Sequence, residues 1–188
     1  MVLGPLVAGA QVYQAGETTP VISSIKHWEV SLGWTHSNQR VQDMAGLRAV
    51  ENMDGMSARG LYYPLSWLGI GAEGTWLNNK HFLGNSTYKD VRYGLISKWI
   101  ITPDTKPAVY LLVGGGQREQ KVNYVQLRDY TQHRWYVQGG VGVEVEIYGG
   151  CFVGAEGLMM YRAKGIDKFL EQNSRWERLL TIRGGVRF

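Results

Sequence analysis

At 188 residues the chain has room for one domain, and no run in it approaches the ~20 consecutive apolar residues of a membrane helix. Its 25 glycines are about twice the usual share of roughly 7%. The formal charge of +4 is dispersed among acidic residues, which excludes the basic stripe of a nucleic-acid binder, and the single cysteine excludes an internal disulfide.

The chain opens on Met1-Val-Leu-Gly-Pro-Leu-Val-Ala-Gly-Ala10, an apolar run ending in the small residues Ala8-Gly9-Ala10 before Gln11. That pattern is the tail of a secretory signal without its basic start. Residues 1–25 are therefore expected to be a signal remnant and an N-terminal segment, with the folded unit on 26–188.

From there the hydropathy alternates with period two, the signature of strands with two unlike faces. The first predicted strand, 26–36, sets Trp28, Val30, Leu32 and Trp34 against Glu29, Ser31 and Gly33. Further strands are predicted at 55–63, 66–77, 88–101 and 107–118. In the next, 133–147, Trp135, Val137, Val141, Val143, Val145 and Ile147 face away from Gln138, Glu144 and Glu146. Strands at 150–162 and 175–188 complete the set, and the last sets Trp176, Leu180, Ile182, Val186 and Phe188 against Glu177, Thr181, Arg183 and Arg187.

The connections alternate in length. Polar segments at 37–54, 78–87, 119–132 and 163–174 alternate with short links at Pro64-Leu65, Thr102 to Lys106, and Tyr148-Gly149. Long loops at one end and short turns at the other distinguish an up-and-down barrel that crosses a membrane. The expected fold is all-β: an eight-stranded antiparallel transmembrane barrel with both termini on the periplasmic, short-turn side.

Aromatic residues sort by depth in this frame. Trp34, Trp76, Trp135, Tyr161 and Trp176 fall near one end of their strands. Trp28, Tyr62, Trp67, Trp99, Tyr110, Tyr148 and Phe188 fall near the other. Two such rows are expected where rings meet the lipid headgroups.

The opposite faces carry Glu29, Arg59, Glu73, Asp90, Arg92, Lys98, Glu144, Glu146, Glu156 and Arg183. An eight-stranded barrel is narrow enough for side chains to fill it, so these charges are expected to form a paired network that plugs the lumen. Gly71, Gly142 and Gly154 are expected to leave room for the long arginines. Gly71-Ala72-Glu73-Gly74 recurs as Gly154-Ala155-Glu156-Gly157, which aligns the register of two strands that run the same way.

On Trp67-Leu-Gly-Ile-Gly-Ala-Glu73, Val141-Gly-Val-Glu-Val-Glu146 and Leu180-Thr-Ile-Arg-Gly-Gly-Val-Arg-Phe188, the chain resembles the small outer-membrane barrels of the OmpA/OmpX and opacity-type surface-antigen group. The resemblance implies insertion in the bacterial outer membrane among lipopolysaccharide. It also implies recognition by the barrel-assembly machinery through Leu180, Ile182, Val186 and Phe188. It leaves function open, because one fold serves many roles.

No cofactor or metal is expected, since the four histidines share no ligand spacing. Lipid A deacylases of this size carry a His-x-Ser motif; His36-Ser37-Asn38 lacks the spacer, and adjacent strand residues face opposite ways. The reading is therefore a non-enzymatic monomer that binds an extracellular partner through loops 37–54, 78–87, 119–132 and 163–174, or that stabilises the envelope. A narrow channel is the alternative, and a lipid A-modifying enzyme ranks behind it.

Overall fold

A computed structural model describes residues 27–42, 48–82, 86–103, 105–123, 130–162 and 176–188. They form eight antiparallel strands in a closed barrel, in the order in which they occur in the chain. The strands are β1 (Trp28–Gln42), β2 (Arg48–Leu65), β3 (Leu68–Phe82), β4 (Ser86–Ile100), β5 (Ala108–Asn123), β6 (Tyr130–Tyr148), β7 (Cys151–Arg162) and β8 (Trp176–Arg187). The expected signal remnant at 1–25 lies outside the described residues.

Closure is a matter of backbone pairing. β8 meets β1 from Glu29↔Arg187 to Asn38↔Arg178. The Trp28 and Phe188 amides then each donate to the other's carbonyl at 3.0 Å, so the final residue is part of the seam. A closed ladder leaves no unpaired edge, which is the condition for a sheet to cross lipid.

The short turns, the start of β1 and Phe188 share one end of the barrel, the turn end; the opposite end is the rim. Between β6 and β7 the turn is Gly149-Gly150, with φ of 60° and 90°. A two-residue hairpin that follows the strand twist needs left-handed backbone at both positions, and glycine adopts it without a Cβ clash. The turn thus lies one residue beyond the expected Tyr148-Gly149.

At the rim the expected loops need correction. Residues 37–42 pair with 48–53, so most of segment 37–54 is strand. The same holds for 78–82 and 86–87 in segment 78–87, and for 119–123 and 130–132 in segment 119–132. Segment 163–174 lies outside the described residues. The physical reason is a change of solvent: beyond the bilayer the outward face no longer needs apolar residues, so the hydropathic alternation stops while the hydrogen-bond ladder continues. β2, at 18 residues, rises roughly 45 Å at ~3.3 Å per residue and a ~40° tilt, well beyond a ~30 Å hydrocarbon core.

The two faces of the sheet have opposite chemistry. Outside stand Val30, Leu32, Ile70, Leu95, Val113, Val137, Val141, Val143, Val153, Leu180 and Ile182, all exposed. Water-soluble monomers rarely leave so continuous an apolar surface uncovered, and in a bilayer it is the face that lipid solvates. Inside, a cluster of Leu61, Tyr63, Ile96, Tyr110, Leu112, Tyr136, Leu158, Met160 and Leu179 is interleaved with buried charge.

Candidate functional site

The lumen is built from inward positions of all eight strands, and its charges fall into layers. Nearest the turn end are Glu29, Lys98, Glu144 and Arg187. Lys98 Nζ donates to Glu29 Oε2 at 3.1 Å and Glu144 Oε2 at 2.6 Å. Arg187 Nε reaches Glu29 Oε2 at 3.0 Å, and its Nη2 contacts Glu144. Tyr63 Oη donates to Glu29 at 2.6 Å. Aromatic faces cover the cations, with Lys98 Nζ 4.3 Å from the Tyr110 ring centre and Arg187 Cζ 4.8 Å from that of Phe152.

Mid-barrel, Arg59 donates through Nη1 and Nη2 to the two oxygens of Glu156 at 2.6 and 2.9 Å, and through Nε to Glu73 at 2.8 Å. Arg183 Nη2 donates to the same Glu73 oxygen at 2.9 Å and to Ser57 Oγ at 3.1 Å. Gln138 and the Tyr110 hydroxyl supply further donors to Glu73 and Glu156 respectively. The repeated Gly-Ala-Glu-Gly segments of β3 and β7 therefore aim their glutamates at one guanidinium, Arg59, which is 2% exposed.

Toward the rim, Asp90 and Glu177 are each shared by Arg92 and Arg118. Arg92 Nη2 lies 2.6 Å from Asp90 Oδ2, Arg118 Nε lies 2.9 Å from Asp90 Oδ1, and Arg118 Nη1 lies 2.8 Å from Glu177 Oε2. The hydroxyl of Ser37 also donates to Glu177. In each layer the cations named match in number the carboxylates they pair with. That balance offsets the otherwise prohibitive burial of charge. Arg134, opposite Arg118 in the β5–β6 ladder, and Arg162 are buried as well and add positive charge toward the rim.

Nine of the ten expected lumen charges meet in these layers; they are Glu29, Arg59, Glu73, Asp90, Arg92, Lys98, Glu144, Glu156 and Arg183. Glu146 is the correction. It stands exposed at the turn end, where its carboxylate accepts the Gly150 amide at 3.1 Å, because the barrel wall ends there and water reaches it. Sequence reasoning missed Arg118, Glu177 and Arg187, although their strand parity already turned them inward. Gly142 makes room for a ring and not for an arginine: a Cβ there would come within 2.3 Å of Tyr110. Tyr110 itself is buried and points inward, not into the lipid-facing aromatic row, because it shares a face with Leu112.

On the outside, Trp28, Trp34, Trp67, Trp76, Trp99, Trp135 and Trp176 are all exposed. Trp28 packs on Tyr62 with ring centres 5.0 Å apart, Trp67 on Trp99 at 5.6 Å, and Trp176 on Tyr161 at 5.0 Å. Leu180, Ile182, Val186 and Phe188 share the same outer face of β8. Near the rim, His36 points outward, its Nδ1 2.8 Å from Asp54 Oδ1, while Ser37 points inward and is buried. The wall of the barrel thus separates the hydroxyl from the imidazole. Among the described residues no group of His, Cys, Asp and Glu could hold a metal ion.

No family model matches the chain, and no curated protein matches it. Solved structures do. Neisserial surface protein A superposes with a TM-score of 0.67 at 15% identity, covering 86% of this chain and 97% of its own. Ail, the attachment invasion locus protein of Yersinia pestis, gives a TM-score of 0.54 at 14% identity, covering 86% and 99%. Ail bound to the heparin analogue sucrose octasulfate gives 0.53 at 13% identity. The fold is that of the small eight-stranded outer-membrane barrels of the OmpA/OmpX and opacity type, and the exposed apolar belt is the surface such a barrel shows to its bilayer.

Proposed function

We propose that this protein is a non-enzymatic surface protein of the bacterial outer membrane, a closed post whose rim binds a partner outside the cell or braces the envelope. The observation that carries the reading is the stack of ion-pair layers across the lumen. Each layer ties strands from different sides of the barrel together, as Arg59 on β2 does with Glu73 on β3 and Glu156 on β7. An ion following the axis would have to break such pairs in every layer. The strands that carry the wall past the apolar belt give the rim a rigid platform for contact, the usual place for function on a stable scaffold. The solved relatives in shape include a protein of attachment and one described as a surface protein, which agrees with this reading.

Planar-bilayer recording tests it. Purified protein is expected to leave the membrane at background conductance, and a double variant that removes two of the four charges of the middle layer, Arg59→Ala with Glu156→Ala, is expected to open steps if it folds. Sustained currents from the unaltered protein would overturn the closed-post reading in favour of a narrow channel.

A further inference from the structure

The outward face of the rim is not uniform around the barrel. On the β1–β2 side its polar groups satisfy one another: His36 is paired with Asp54, and Asn38 Nδ2 donates to Asn52 Oδ1 at 3.0 Å. On the β3–β5 side they do not. The register sets Asn78 opposite Lys89, and Lys89 directly opposite Lys121. Lys80 occupies the next outward position of β3. Like charges placed directly opposite on neighbouring strands repel and destabilise the sheet. The carboxylates nearest these lysines on that face are Glu119, one row closer to the belt and opposite Val91, and Asp54, opposite Asn78 and paired with His36; among the described residues neither makes an ion pair with them.

The height of this row is defined. Trp76 and Val91 face each other in the last apolar row, and Lys89 lies two residues past Val91, roughly 7 Å along the strand. That is headgroup depth, just outside the hydrocarbon. A cation row at this depth meets anionic headgroups, and each lysine adds to the attraction.

We propose that Lys89 and Lys121, with Lys80 beside them, form a site for a lipid headgroup bearing phosphate monoesters, of the lipid A type, seated against Trp76 with its acyl chains on the belt below. The phosphate supplies the negative charge that the facing lysines lack. This rests on the reading that the rim faces outward from an outer membrane, since that leaflet carries such lipids.

The experiment uses the folded protein in non-ionic detergent. It is titrated with bis-phosphorylated lipid A, with the same lipid stripped of phosphate, and with inorganic phosphate. The thermal unfolding midpoint and the lipid retained in native mass spectrometry are both read. The midpoint is expected to rise with the phosphorylated lipid alone. In Lys89→Gln/Lys121→Gln the apparent affinity is expected to fall roughly tenfold or more, as loss of two interfacial cations implies. Without lipid the same variant is expected to be as stable as the parent or more so, because the repulsion is gone. Arg178→Gln, on the outward face of β8, serves as the control and is expected to bind as the parent does, and Lys89→Arg/Lys121→Arg is expected to keep the site. A double variant that binds like the parent, or an equal response to the phosphate-free lipid, would overturn the proposal. An equal response to inorganic phosphate would make it a simple anion site and overturn the lipid assignment. Conductance of the same preparation is independent: a conducting barrel that still selects phosphorylated lipid would sink the closed-post reading and leave this site standing.

Discussion

The belt and the rim are one continuous sheet in two solvents. On β1, Trp28, Val30, Leu32 and Trp34 face lipid, and two residues later the same face presents His36 and then Asn38. The inward face shows no such break: Glu29, Ser31, Thr35 and Ser37 remain buried along the whole length. The barrel is therefore held from inside by polar pairing at every level, while its outer chemistry follows the medium. In the belt the cost of error is high on both faces, whereas at the rim it is high on the inner face alone.

The largest effect should come from breaking a belt-level pair from within. Arg59→Met leaves Glu73 and Glu156 short of their shared guanidinium and should cost about 3–5 kcal/mol of unfolding free energy, read by urea titration in lipid vesicles. A cost under about 1 kcal/mol would mean that the layers relax independently of one another.

The outer face gives the next contrast. Val141→Arg places a cation on the lipid side of β6 and should cost about 2–4 kcal/mol, whereas His133→Arg, on the same face of the same strand at the rim and opposite Glu119, should change stability by less than about 0.5 kcal/mol. Equal costs at the two positions would erase the distinction between belt and rim.

The smallest effect is expected for a polar pair outside the wall. His36→Ala removes the contact to Asp54, whose side chain is 54% exposed, and should cost under about 1 kcal/mol in the same titration. A larger loss would show that the rim's outer face also carries the fold.

These contrasts also explain what could be read from the chain alone. Strand parity is a local property, so Trp28 to Trp34 and Trp135 to Ile147 declared their faces, and with them the inward direction of Glu29 and Glu144. Partnership across the lumen is not local. Nothing near Glu177 in the chain says that Arg92 and Arg118 will converge on it from β4 and β5, so a residue on the correct face was left out of the network. Tyr110 shows the opposite failure: its depth near a strand end matched an interfacial ring, but its face, shared with Leu112, put it inside. The rim was misread as loop because Thr35 to Arg40 and Glu119 to Asn123 lack the apolar alternation that only lipid enforces. The lysine row was invisible until the register set Lys89 against Lys121.

The most direct test of the belt-and-rim account is a depth profile along one strand. After Cys151→Ser removes the exposed native thiol, single cysteines at Val30, Leu32, Trp34, His36 and Asn38 are spin-labelled in protein folded into vesicles. Accessibility to oxygen and to a water-soluble nickel complex is then compared at each site. Labels at 30 and 32 should favour oxygen, the label at 34 should be intermediate, and those at 36 and 38 should favour the nickel complex. Uniform nickel accessibility from 30 to 38 would contradict membrane insertion, and uniform oxygen accessibility would contradict a rim that stands in water.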